Sequence, residues 1–154
     1  MPNTFTQKET SLLQDLKKSE QLCVDKYTKY ENNAVSTELK SLMGAIKQQE
    51  QEHLQTVNQL LGGQVPQVGG GQSGSSKIEA KSAFYNNGTP EYENDKFVCS
   101  DALATEKYVS SVYDVSIFEF KDPAVRNVLN HLQKEEQTHG EKIYSFMDQN
   151  GMYS

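Results

Sequence analysis

Residues 48–55 read QQEQEHLQ and residues 134–141 read KEEQTHGE. Each stretch contains Glu-x-x-His: Glu50 and His53 in the first, Glu136 and His139 in the second, with both members displaced by 86 positions. The chain of 154 residues has three histidines and spends two of them on this one word. Residues 12–61, moved along by 86, overlie residues 98–147 without a gap. Apolar positions match in kind (Leu39/Val125, Leu42/Val128, Met43/Leu129, Ile46/Leu132, Val57/Ile143, Leu60/Phe146), whereas strict identities are few. They are Asp15/Asp101, Glu20/Glu106, Tyr27/Tyr113, Glu50/Glu136, Gln51/Gln137 and His53/His139. A repeat that has changed most of its core but kept glutamates and histidines is organised about a site.

The repeating unit is a helical pair. Leu12, Leu13, Leu16, Cys23, Val24 and Tyr27 recur at helical spacing, and Thr6 with Glu9 forms a capping box, which predicts a first helix over 7–32. Asn32-Asn33 breaks the pattern, Ser36 caps a second helix, and Gly62-Gly63 stops it after Leu61. From 62 to 92 the composition turns to Gly, Ser, Asn and Pro, as in a flexible connector with a short ordered or helical piece near Ile78–Tyr85. A third helix is expected over 93–120, with Phe97, Leu103, Val109, Val112 and Phe118 among its apolar members. Asp122 then caps a fourth helix with Pro123 in its first turn, running to Gln149 before Gly151.

Helices of this length span roughly 38 Å. Two short loops make two antiparallel pairs (7–61 and 93–149), and a relaxed connector of this length reaches about 30 Å, enough to travel the length of a bundle. The expected fold is all-α: one domain, a ferritin-like antiparallel four-helix bundle with a single long crossover between helices 2 and 3.

Within such a bundle, Glu50 and His53, like Glu136 and His139, lie three residues apart on one helix face. Glu20 sits in the apolar stripe between Leu16 and Cys23, and Glu106 between Leu103 and Val109, so both glutamates point inward. Four carboxylates in a core repel one another and each carries a desolvation cost of several kcal/mol, so they need protons or cations. One Glu from each of two helices and Glu-x-x-His from each of the other two is the known ligand set of di-iron and di-manganese carboxylate bundles. The expected site therefore holds two divalent metal ions. Glu50 and Glu136 bridge, Glu20 and Glu106 are terminal, and His53 and His139 each bind one ion. Mixed oxygen and nitrogen donors suit iron or manganese, with zinc left open.

Other residues are assigned lesser parts. Tyr27 and Tyr113, seven residues after the inward glutamates, either contact groups around the site or relay an electron, with satisfied core aromatics as the plainer reading. Cys23 and Cys99 read as buried structural thiols, reduced and in the cytoplasm, and form no C-x-x-C unit. His131 lies about 140° around its helix from Glu136 and is not a ligand. Asp15 and Asp101 are expected to be solvated.

The net charge of −6 without a basic block argues against nucleic acid or an anionic membrane as partner. No apolar run approaches the roughly 18–20 residues of a membrane span, and the opening MPNTFTQKETSLLQ does not read as a secretory signal.

The stretch DPAVRNVLNHLQKEEQTHGEKIYSFMDQNGMY resembles the spore coat protein F (Coat F) family of spore-forming Firmicutes. KETSLLQDLKKSEQLCVDKYTKY and ELKSLMGAIKQQEQEHLQTVNQLL look like the paired N-terminal portion of its ferritin-like members. The glutamate and Glu-x-x-His set is also similar to rubrerythrins and manganese catalases, without a rubredoxin module. The resemblance implies a ferritin-like bundle in the spore coat, with other coat proteins or further copies of itself as partners. It leaves two functions open: a purely structural coat component, or a redox protein acting on a small oxidant, peroxide or oxygen.

Overall fold

A computed structural model describes residues 4–68 and 77–153. Its regular structure is four α-helices: α1 (Gln7–Asn33), α2 (Thr37–Leu61), α3 (Pro90–Ile117) and α4 (Pro123–Gln149). The predicted start signals act as read. Thr6 and Glu9 close a reciprocal capping box, Ser36 accepts from Leu39 N–H, and Asp122 accepts from Ala124 N–H with Pro123 behind it. Gly63 and Gly151, beyond the ends of α2 and α4, hold φ of 85° and 68°, a region closed to most other residues.

Helix α3 departs from expectation. It begins at Pro90 under a Thr89 cap and ends at Ile117, three residues earlier at each end than 93–120. Phe97 and Phe118 stand 70% and 83% exposed. The buried stripe of α3 runs instead through Val98, Cys99, Ala102, Thr105, Glu106, Val109, Tyr113 and Ser116. These residues are small or polar, so the largest apolar side chains were a poor guide to the inner face.

Long-range contacts fix the directions. Lys8 meets Glu119 at one end of the α1–α3 pair, and Asn94 bonds the Asn33 carbonyl at the other, so α1 and α3 are antiparallel. His53 meets Glu135 and Gln49 meets His139, so α2 and α4 are antiparallel as well. With α1–α2 and α3–α4 reversed by short loops, α2 and α3 run the same way, and the connector must return along the bundle. This is the four-helix bundle with one long crossover. Residues 69–76 of that connector lie outside the described residues.

The later part of the connector is ordered but not helical. Ile78 is buried, Ala83 N–H donates to Asn150, and the Tyr85 hydroxyl donates to Asp95 at 2.5 Å. It therefore docks on the end where α4 finishes and α3 starts. The core is built from Leu13, Leu16, Leu39, Met43, Ile46, Leu60, Leu129 and Ile143, all fully buried, with polar residues set among them at mid-height.

Candidate metal centre

The six residues predicted from the repeat converge. Glu20 of α1, Glu50 and His53 of α2, Glu106 of α3, and Glu136 and His139 of α4 are all 3% exposed or less. His53 Nδ1 lies 2.7 Å from Glu136 Oε1, 3.1 Å from Glu50 Oε1 and 3.1 Å from Glu20 Oε2. His139 Nδ1 lies 3.4 Å from Glu50 Oε1, 3.4 Å from Glu106 Oε1 and 3.7 Å from Glu136 Oε1. Each imidazole therefore has its own outer glutamate, Glu20 or Glu106, and shares Glu50 and Glu136 with the other. The two rings stack 5.7 Å apart at 18°, as expected of two repeats facing each other across a pseudo-twofold axis.

Two overlapping groups bring their ligand atoms within 4.8 Å of one another: Glu50, Glu106, Glu136 and His139, and Glu20, Cys23, Glu50 and Glu136. Either could hold a metal ion. The Cys23 thiol borders the second group, but burial and then Glu50, Glu20 and Glu136 push its pKa far up. Without a cation beside it, Cys23 stays a thiol.

The cluster is electrostatically unfinished. Among the described residues, ten buried side-chain nitrogen and oxygen atoms lack a hydrogen-bond partner, and nine belong to these six residues. They include both oxygens of Glu20, Glu50 and Glu136, one of Glu106, and Nδ1 of both histidines. Buried polar atoms are otherwise almost always satisfied, so this concentration of orphans at one point is a set of groups that could hold an ion. All of them are lone-pair donors or can become so, which is the donor set of a cation.

Without cations, protons take up the charge. Burial and the neighbouring Glu50 raise the Glu20 carboxyl to about 7. Burial and the other three carboxylates hold Glu136 well above the ordinary range. Burial opposes ionisation of Glu50 too, but the facing Glu136 carboxyl and the two imidazoles outweigh it and hold Glu50 at about 2. Burial disfavours charged His53 and His139 as well, and their carboxylate partners reverse this, raising both. In the metal-free centre, Glu20 and Glu136 are thus shifted toward the protonated form, while Glu50 is held ionised beside the imidazoles.

The surroundings repeat the pseudo-symmetry. The Tyr27 hydroxyl donates to Glu106 Oε1 at 2.5 Å. Tyr113, its counterpart, is buried beside Glu20 without closing a hydrogen bond of good geometry. His53 Nε2 contacts Glu135 Oε1 at 3.0 Å, and His139 Nε2 contacts Gln49 Oε1 at 2.8 Å. Glu135 and Gln49 occupy equivalent positions of the repeat, one before each inner glutamate. Sequence reasoning missed them because they are not identical, although their offset of 86 was in view. His131 stays outside the cluster and approaches Glu135 Oε1 at 3.5 Å. Asp101 is not simply solvated: it accepts from the Tyr30 hydroxyl and has Lys26 Nζ at 3.8 Å, because it lies at the α1–α3 seam. Cys23 and Cys99 are buried free thiols, as expected.

Residues 94–154 match the model of the Coat F domain family. No curated protein and no solved structure gives a match. Among the described residues, no helix is long and apolar enough to cross a membrane.

Proposed function

With residues 94–154 matching the Coat F domain, we propose that the chain is a spore-coat protein of ferritin-like type that holds two divalent metal ions, iron or manganese, in its core. The observation that carries this reading is the set of nine orphaned donor atoms on six buried residues from all four helices. Four carboxylates match the charge of two divalent ions, and two imidazoles add one nitrogen to each.

Glu50 and Glu136 face both imidazoles and would bridge the ions. Glu20 and His53 would complete one position, and Glu106 and His139 the other. The ions, when bound, would supply Lewis acidity and one-electron steps toward peroxide or oxygen. The chain's own contribution is to hold the donors inside apolar walls and to release the protons of Glu20, Glu136 and the histidines on loading. Tyr27 fixes the orientation of Glu106, and Glu135 and Gln49 fix the two imidazole rings.

A second reading is favoured by the closure of the site. Ligand residues exposed by 3% or less suit an ion that stabilises a structural coat component. Phe97, Tyr108 and Val115, exposed along α3, would then offer apolar surface to other coat proteins or to a second copy.

Elemental analysis of purified protein beside the Glu106→Ala variant tests metal binding. About two ions per chain in the wild type and a clear loss in the variant are expected. Negligible metal in both removes the site. Peroxide consumption and oxygen uptake by the loaded protein then separate the redox protein from the structural one.

A further inference from the structure

The pseudo-twofold centre is broken at one pair of positions. Outside the ligand cluster, His53 Nε2 meets a carboxylate oxygen of Glu135, whereas His139 Nε2 meets an amide oxygen of Gln49. Glu135 and Gln49 are 7% and 6% exposed, so these contacts lie largely out of water.

The chemistry of the two contacts differs. With Nδ1 turned to a bound ion, Nε2 would carry the proton and donate outward. A hydrogen bond to a carboxylate is roughly twice as strong as one between neutral groups, and it leaves more electron density on the inward nitrogen. An amide oxygen fixes the ring equally well but polarises it less. His131 reaches the same Glu135 oxygen only at 3.5 Å, so the shorter contact at 3.0 Å belongs to His53.

Gln49 lines a surface groove of about 720 Å³ between α2 and the docked connector residues Lys77–Lys81. The His139 side of the centre is therefore one side chain away from this groove.

We infer that the two metal positions are inequivalent: the position at His53, backed by Glu135, binds first and tightly, and the position at His139, backed by Gln49, is the weaker and exchangeable one. This rests on the dinuclear reading above. It concerns how the ions are held rather than whether they are held.

The test is a titration of the metal-free protein with Mn(II), followed by electron paramagnetic resonance and by calorimetry. In the wild type, the first equivalent should bind as an isolated ion with a resolved hyperfine signal. The second should follow with an affinity about 10-fold or more lower, coupling the spins and suppressing that signal. Gln49→Glu should strengthen the second step and Glu135→Gln weaken the first, so that each variant brings the two steps together. These substitutions conserve side-chain volume, and helical circular dichroism checks that each variant is folded. Two equivalents binding in one step in the wild type, or two steps unmoved by either substitution, would overturn the inference and leave the dinuclear reading standing. Absence of Mn(II) binding by the wild type would remove both.

Discussion

Asp95, in the first turns of α3, accepts hydrogen bonds from the backbone N–H groups of Val35 (2.8 Å) and Ser36 (3.0 Å), in the loop joining α1 to α2. One repeat away, Glu9 of α1 does the same for Lys121 N–H in the loop joining α3 to α4, at 3.1 Å. Each hairpin thus carries an acidic residue that clamps the turn of the other. Asp95 is fully buried and also takes the Tyr85 hydroxyl and the Asn94 amide, which tie the connector to the same point.

Removing these clamps should cost stability unequally. Asp95→Ala leaves two loop N–H groups without an acceptor and is expected to lose about 2–4 kcal/mol in urea unfolding. Glu9→Ala loses its capping-box contact and one loop bond, for a cost of about 1–2 kcal/mol. Equal, small losses would mean that water replaces both clamps.

Much of this molecule was readable from sequence where one local signal dominated. Thr6, Ser36 and Asp122 marked helix starts through capping chemistry that needs no tertiary context. The inward glutamates were visible because a charge inside an apolar stripe breaks an otherwise periodic pattern. The exposure of Phe97 and Phe118 was not legible, because the inner stripe of Cys99, Ala102, Thr105 and Ser116 is scarcely more apolar than the rest of α3. Gln49 and Glu135 escaped notice for a different reason: their roles exist only where α2 crosses α4, and neither residue type is unusual on a helix.

The protons of the metal-free centre make its stability fall as pH rises. Glu20 is held at about 7, by burial and then by Glu50, against an ordinary value of 4.5. The folded chain keeps a proton that the unfolded chain gives up, so this contribution is complete below 4.5 and gone above about 7. Glu136 is displaced in the same direction. Raised His53 and His139 add stability that is complete below their ordinary value of 6.5 and lost as pH climbs through their folded values. Glu9 opposes this. Hydrogen bonds from Thr6 and Lys121 outweigh its burial and lower its pKa, so its contribution is lost as pH falls. Melting of metal-free protein between about pH 5 and pH 8 should show a falling Tm. With saturating Mn(II), deprotonation is coupled to binding and the fall should shrink or reverse. Identical profiles with and without metal would contradict the centre described here.

Glu136→Gln separates the metal from the fold. In the metal-free protein the raised Glu136 carboxyl faces Glu50 as its neutral neighbour, and an amide keeps that position neutral. The metal-free Tm should therefore hold or rise slightly. The gain on adding Mn(II) is about 2.7 kcal/mol for each ion bound at a free concentration of one hundred times that site's Kd. It should be largely lost in the variant, because an amide gives neither the charge nor the bridge. A full metal-dependent gain in the variant would show that Glu136 is not a ligand.

Thiol chemistry reports on the same core from another direction. Cys23 and Cys99 are 2% and 0% exposed. Burial, then Asp95, pushes the Cys99 thiol up to about 12, and burial with the four glutamates pushes Cys23 far higher. Only the thiolate attacks a disulfide reagent, so both should be inert in the folded protein at neutral pH and fully reactive in guanidinium. Cys23 stands one turn from Glu20 on α1, so it can react only when that helix lifts from the centre. Metal loading should therefore slow its labelling further, while Cys99, at the Asp95 end of α3, changes little. Rapid native labelling of Cys23 that metal does not slow would place α1 away from the cluster and undo the four-helix site.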